Sequence, residues 1–191
     1  LTTLKGFLSI LIDDHDLTRA DIQKHATSIR NSVTSSLDLI DNTLFWSLSQ
    51  TGNISYTPTR FCLNDMLQKI SSLYHLIVEK KKINFSIELK ENITLLADEN
   101  MTYVSLRNIV SNALKFTPQG NAVKISAFAK DNTAVIVIED EGIGMSPAYL
   151  EKLFTEEQLP LTKGTNDEKG TGIGLILCRK FIQMNQGTLS V

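Results

Sequence analysis

Charge of one sign is in short supply. The 19 Lys and Arg are set against 21 Asp and Glu, a formal net charge of −2. Nucleic acid and anionic membrane surfaces both demand a concentrated basic face, so neither is an implied partner. The one basic cluster, Lys80-Lys81-Lys82, ends a predicted helix and suits the negative end of that helix's own dipole. Cysteine is scarce too. Cys62 and Cys178 lie far apart, match no metal-ligand spacing and read as reduced thiols of a cytosolic protein. No apolar run reaches the ~18–20 residues of a membrane span, and no signal-peptide pattern is present, so direct membrane contact by this segment is not expected. Repeats and low-complexity tracts are also missing. What is left is an ordinary globular composition, 42% hydrophobic, able to bury a core.

Two periodicities divide the chain. Leu4, Phe7, Leu8 and Leu11 line one helical face, and Asp13-Asp14-His15-Asp16 reads as a connection. Ile22, Ala26, Ile29, Val33, Leu37, Ile40, Leu44 and Leu48 then hold a narrow apolar stripe over many turns. One thin hairpin cannot bury such a stripe alone. It suits a four-helix bundle made by two chains, which predicts a homodimer; a hairpin packed on its own globular domain is the other reading. Residues 1–52 are therefore an antiparallel helical hairpin, and 53–191 a second domain.

In that second domain the pattern is mixed. Ile54-Ser55-Tyr56 and Phe61-Cys62-Leu63 read as short strands, and Asn64 as the cap of a helix running to about Lys81. Ile83 to Leu89 alternates as a half-buried strand does. Asp98 precedes a helix over Met101 to Lys115. Val123 to Ala129 and Ala134 to Glu139 are strands joined at Lys130-Asp131-Asn132, and Ser146-Pro147 starts a helix. Residues 155–171 read as a mobile loop and Gly172 to Asn185 as the last helix. The fold class is α+β, with helices against one face of a mostly antiparallel sheet. The chain opens on Leu1 rather than Met and closes at Val191 in a strand-like stretch from Gly187, so both ends are expected to be cuts in a longer protein.

Three constellations carry chemistry. Asn108, Asn112 and Lys115 share one helical face. Two amide oxygens can ligand a hard cation such as Mg²⁺, and the lysine can meet a phosphate; alone, the pattern equally suits a solvated face. In Ile138-Glu139-Asp140-Glu141-Gly142-Ile143-Gly144 an apolar strand delivers an aspartate and then glycines. If buried, that carboxylate can accept a hydrogen bond from an exocyclic amine such as adenine N6, and glycine lets backbone approach a base. Gly170-Thr171-Gly172-Ile173-Gly174-Leu175 leads into a helix whose first N–H groups suit phosphate. Its alternating glycines match neither the dinucleotide fingerprint nor the P-loop.

In this order and spacing, the three resemble the N, G1 and G2 boxes of the histidine kinase catalytic domain, in the nucleotide-binding superfamily shared with gyrase, Hsp90 and MutL. The resemblance covers essentially the whole chain, with Leu153-Phe154 similar to the start of the F box and residues 1–52 similar to the dimerisation and phosphotransfer hairpin. It implies the two-layer sandwich of the Bergerat type and a Mg²⁺·ATP site. Asn112 with Asn108 would hold the metal, Lys115 would contact phosphates, and Phe116 would border the nucleotide. Asp140 would read adenine, with Gly142 and Gly144 shaping its pocket. Gly170, Thr171, Gly172 and Gly174 would frame the phosphates, with Leu175 packed nearby.

The resemblance further implies a cytoplasmic protein-histidine kinase core, even where the parent is an inner-membrane sensor, relaying phosphate to an aspartate of a response regulator. Two departures stand out. Glu157 replaces the second F-box aromatic. The acceptor histidine, set by the family in a His-Asp/Glu-x-x-x-Pro context, would lie just upstream of Leu1. His15 lacks the proline and sits in the predicted hairpin turn; His25 falls off the apolar stripe, and His75 sits in a helix of the second domain. The alternatives are an ATPase of the gyrase/Hsp90/MutL kind, or a non-catalytic nucleotide-binding scaffold. The first of these places a glutamate base where this chain has Asn108.

Overall fold

The computed structural model describes residues 6, 18–19, 21–23, 25–29, 55–155, 164–165 and 172–191. The chain divides into two compact units, Leu1–Asn53 and Ile54–Val191. In the first unit, residues 19, 21–23 and 25–29 are helical. Thr18 opens this helix by a reciprocal cap: Asp21 N donates to Thr18 Oγ1 at 3.2 Å and Thr18 N donates to Asp21 Oδ2 at 3.2 Å. Of the predicted stripe, Ile22 is 47% exposed and Ala26 is exposed, while His25 is half-buried. Most of the predicted hairpin, including Leu4, Phe7, Leu8, Leu11, His15 and Val33 to Leu48, lies outside the described residues.

The second unit runs β1 (Pro58–Cys62), α1 (Leu63–Lys81), β2 (Asn84–Leu89), β3 (Thr94–Asp98), α2 (Glu99–Phe116), β4 (Ala122–Lys130), β5 (Thr133–Asp140), α3 (Pro147–Thr155) and α4 (Gly174–Met184). β2, β4 and β5 form one sheet, with β4 in the middle. β4 and β5 are antiparallel, joined at Asp131-Asn132. Both turn residues have positive φ, 47° and 61°, the conformation that matches strand twist in a two-residue hairpin. β2 pairs parallel to β4, Asn84 opposite Ala122. β1 and β3 make a separate antiparallel pair, Pro58 opposite Asp98.

The core forms where the inner face of α1, the inner face of α2 and the sheet meet. Leu63, Leu67 and Ile70 of α1, Val110 of α2, and Val123 and Ile125 of β4 are all at 0% exposure. Each such side chain removed from water contributes about 1.5–3 kcal/mol, which is why the i, i+4, i+7 spacing of α1 and the alternation of β4 commit both elements to one interface. α4 closes the unit through Leu177, Cys178 and Phe181, all buried. Its C-terminal Asn185 accepts the backbone N–H of Asp98 at 2.7 Å.

Three local expectations need correction, and one strand has no counterpart among them. Asn64 does not cap α1: Cys62 holds that position without a side-chain bond. The Asn64 amide reaches the next turn instead, accepting Ile93 N–H at 3.1 Å and donating to Asn92 Oδ1 at 3.0 Å. Ser55 and Tyr56 are not strand; pairing with β3 begins only at Pro58. β3 itself was not foreseen. Residues 187–191 form no strand, having no neighbour to pair with among the described residues. Pro147, by contrast, is the first residue of α3, with Ser146 Oγ accepting Tyr149 N–H at 3.2 Å.

Candidate nucleotide-binding site

α2 is the spine of the site. Its first turn is closed by Asp98, whose Oδ1 accepts Met101 N–H at 3.0 Å and whose Oδ2 accepts Thr57 N–H at 2.9 Å. Val104, Val110, Ala113 and Leu114 face the core. Asn108, Asn112 and Lys115 occupy another face and are half-buried. The ammonium of Lys115 lies 4.9 Å from the centroid of the Phe116 ring, within cation–π range.

The loop after β5 is stitched to α2. Ile143 N donates to Phe116 O at 3.2 Å. On its other side, Glu141 N donates to Ala122 O at 3.0 Å and Glu141 Oε2 accepts Ala122 N at 2.8 Å. Asp140 and Phe116 are thereby both brought against Gly142, at the place where a side chain would start. A Cβ on Gly142 would collide with Asp140 Oδ1 and stand 3.0 Å from Phe116 O, so only glycine lets the two elements meet. Gly144 is glycine for a different reason: a Cβ would meet open space, but φ is +69°. Asp140 is exposed rather than buried as expected. Its Oδ1 accepts Gly142 N at 3.0 Å, which fixes the carboxylate by a local turn without enclosing it.

α4 reaches the same helix from a third direction. A Cβ on Gly174 would stand 3.2 Å from Asn108 Oδ1, so the first residue of α4 packs directly on the Asn108 side chain. Gly172, at φ +72°, turns the chain into that contact, and Leu175 is half-buried. Further along, Cys178 Sγ donates to Ser105 O at 3.4 Å, and burial pushes its thiol up to about 12. It is an inert packing group, not a nucleophile. Gly170, Thr171, Glu157 and nearly all of the predicted loop lie outside the described residues.

Sequence reasoning missed Lys81 and Thr165. Lys81 does end α1, as the sequence predicts, but it is 4% exposed and its ammonium serves a different helix, donating to Leu114 O at 2.6 Å and to Thr165 Oγ1 at 2.8 Å. A lysine triplet signals a helix end, but nothing in it says which of the three turns inward or toward which helix. Among the described residues no group of three or more His, Cys, Asp or Glu could hold a metal.

The family model of histidine kinase-, DNA gyrase B-, and HSP90-like ATPases matches residues 97–191. Residues 97–191 belong to that ATPase family. The matched span starts at Ala97, one residue before the α2 cap, and includes every element that touches the site except α1. Curated relatives of the chain include a sensor kinase/phosphatase and a histidine protein kinase. The autoinducer 2 sensor kinase/phosphatase LuxQ of Vibrio parahaemolyticus is 28% identical over 199 residues, covering all of this chain and 23% of LuxQ. The Caulobacter vibrioides histidine protein kinase DivJ is 39% identical over 98 residues, half of this chain and 16% of DivJ. The chain thus spans about a quarter or less of these relatives' lengths. Among solved structures, the catalytic domain of histidine kinase ThkA aligns with TM-score 0.59 and 26% identity over 68% of this chain and 82% of that one. The Acinetobacter baumannii histidine kinase AdeS shares the fold at TM-score 0.68, 21% identity, over 99% and 86%. The domain is an ATPase-family domain of the histidine kinase type, and no helix among the described residues is long and apolar enough to cross a membrane.

Proposed function

We propose that this domain binds Mg²⁺·ATP and donates the γ-phosphoryl group to a histidine of a helical hairpin, as the cytoplasmic core of a two-component sensor kinase. The observation that carries the reading is Asn108. It stands one turn before Asn112 on the site face of α2, where the hydrolysing relatives' pattern calls for a glutamate, and α4 packs on it through Gly174. An amide cannot take a proton from water. A neutral imidazole is already a nucleophile and needs no strong base at that position.

The donor set fits Mg²⁺. Asn108 and Asn112 offer amide oxygens one turn apart, and this hard cation takes oxygen ligands while keeping waters and substrate phosphates. Bound there, it would neutralise charge on the transferring phosphate. The chain's own residues do the rest. Lys115 supplies a positive charge to the phosphates. Asp140, which uses only Oδ1 for Gly142, can accept from the adenine amine. Gly142 allows the base to lie against backbone. Gly172 and Gly174 would offer N–H groups to the phosphates at the start of α4, with Leu175 beside them, and the same role is proposed for Gly170 and Thr171, which lie outside the described residues.

Two partners follow in the same reading. Residues 1–52 supply half of a dimeric four-helix bundle, with 53–191 as the catalytic domain; the 47% exposure of Ile22 on the apolar stripe supports a second chain there. The histidine kinase ThkA has been solved in complex with response regulator TrrA, at TM-score 0.61 to this chain. That supports a receiver domain as the phosphate's destination.

Calorimetry with Mg²⁺·ATP on this chain should show binding that Asp140→Asn weakens. Supplied with a helical hairpin that carries the acceptor histidine, the chain given γ-labelled ATP should leave an acid-labile, base-stable phosphate on that hairpin, the signature of phosphohistidine. Rapid steady-state hydrolysis abolished by Asn108→Ala would establish the ATPase alternative instead.

A further inference from the structure

An α-helix leaves its last four carbonyls without intrahelical partners. In α2 those belong to Ala113, Leu114, Lys115 and Phe116, the turn that carries Lys115. Ala113 O is taken locally, by Thr117 N at 3.0 Å and Thr117 Oγ1 at 2.7 Å. Phe116 O is taken by the β5 loop through Ile143. The two between them are held by Lys81 and Thr165. Lys81 Nζ donates to Leu114 O at 2.6 Å, to Lys115 O at 3.2 Å and to Thr165 Oγ1 at 2.8 Å, three acceptors for the three N–H groups of an ammonium. Thr165 adds its backbone N–H to Lys115 O at 3.1 Å, and its hydroxyl proton is shared between Lys115 O at 3.0 Å and Thr117 O at 3.2 Å.

This arrangement is more than a cap. A buried ammonium is costly unless every N–H is met, and the negative end of a helix dipole is where a cation is best placed. Lys81 is anchored from its own side as well, since its carbonyl accepts Gly120 N–H at 3.1 Å. Lys81 and Thr165 come from opposite ends of the domain and meet on the peptide groups of Leu114, Lys115 and Thr117. They therefore hold the backbone from which the Lys115 side chain leaves the helix.

We propose that Lys81 and Thr165 form a positioning pair that holds the last turn of α2 so that Lys115 addresses the distal phosphates of the nucleotide. The inference rests on the nucleotide reading above. It adds two residues outside the three motifs, one of them outside the family-matched span.

The test uses the 191-residue chain, thermal melting, and affinities for Mg²⁺·ATP and for AMP, which keeps base and sugar but lacks the distal phosphates. Thr165→Val keeps the shape and removes the hydroxyl, Thr165→Ser keeps the hydroxyl, and Lys81→Met keeps length without charge. Lys81→Met should weaken Mg²⁺·ATP about tenfold or more, Thr165→Val about threefold to tenfold, and Thr165→Ser less than about twofold. AMP affinity should stay within about twofold throughout. The double variant should bind no more weakly than Lys81→Met by more than about twofold, because the two residues act as a unit. If Lys81→Met does not fold, the Thr165→Val and Thr165→Ser pair decides. Mg²⁺·ATP affinity within about twofold of wild type in Thr165→Val, or equal losses for AMP and Mg²⁺·ATP, would overturn the positioning role alone. No binding of Mg²⁺·ATP by the wild-type chain would overturn the nucleotide reading, and this inference with it.

Discussion

The two ends of α2 are finished in different ways. At the N-terminal end one residue, Asp98, satisfies the first turn from three positions away and reaches Thr57 with its other oxygen. At the C-terminal end the carbonyls are shared among Lys81 from α1, Ile143 from the loop after β5, and Thr165. The capping bond at the first end is local, although Asp98 also meets Thr57 and, through its backbone N–H, Asn185 from distant parts of the chain. The second exists only when remote parts of the domain have come together. The residues assigned to Mg²⁺ and phosphates, Asn108, Asn112 and Lys115, lie toward the second end. A binding geometry is thus tied to the assembled domain.

That contrast can be broken or sharpened by experiment. The largest effect is expected from Leu114→Ala, which removes a side chain at 1% exposure in the last turn. It should cost about 2–5 kcal/mol in denaturant unfolding and weaken nucleotide binding as well. Asp98→Ala should cost about 1–2 kcal/mol of stability, yet leave Mg²⁺·ATP affinity in the folded protein within about twofold. A loss of affinity equal to that of the C-terminal variants would dissolve the distinction between the ends. Gly142→Ala should lower affinity by about tenfold and cost about 1–3 kcal/mol of stability, since the added Cβ runs into Asp140 Oδ1 and Phe116 O.

Cys178 offers a smaller test, by thiol titration. Half-buried Cys62 should react first with a thiol reagent, and Cys178 only on unfolding. Its thiol, held at about 12 by burial, contributes stability that is full below the unfolded value near 9.0 and declines as pH rises from there toward 12. The smallest effect is expected at Lys124 and Glu88, an exposed pair at 2.8 Å on adjacent strands. Glu88→Gln should leave both melting and binding unchanged.

The site motifs were legible because their spacing is a helical or strand spacing. Asn108, Asn112 and Lys115 repeat at helical intervals, and Asp140 to Gly144 follows a clean apolar strand. The fold was legible wherever a pattern was local: α1, α2, β4, β5 and the Ser146-Pro147 start all stand within a few residues of their expected bounds. What escaped was non-local. β3, with Leu95 and Leu96 adjacent, lacks the alternation that marks a strand, and is defined by pairing with β1. Asn64 carries a genuine capping side chain, but spends it across the chain on Ile93. The parallel register of β2 on β4 leaves no trace in either strand. Lys81 sits in a run of three lysines that differ only in which way the helix faces them.

Asn185 adds a consequence in time. Its side-chain oxygen accepts the Asp98 amide 87 positions earlier in the chain, so the end of β3 is completed by the last turn of the last helix. Contacts of such separation are slow to form, because chain closure must come before they contribute. During synthesis, α1, the sheet and α2 can gather on their own apolar faces. The junction of β3 with α4 must wait until Asn185 has cleared the ribosome. A nascent chain halted before that point should keep its first helices yet remain open to proteolysis at the β3–α2 junction, a vulnerability that ends when the final helix docks.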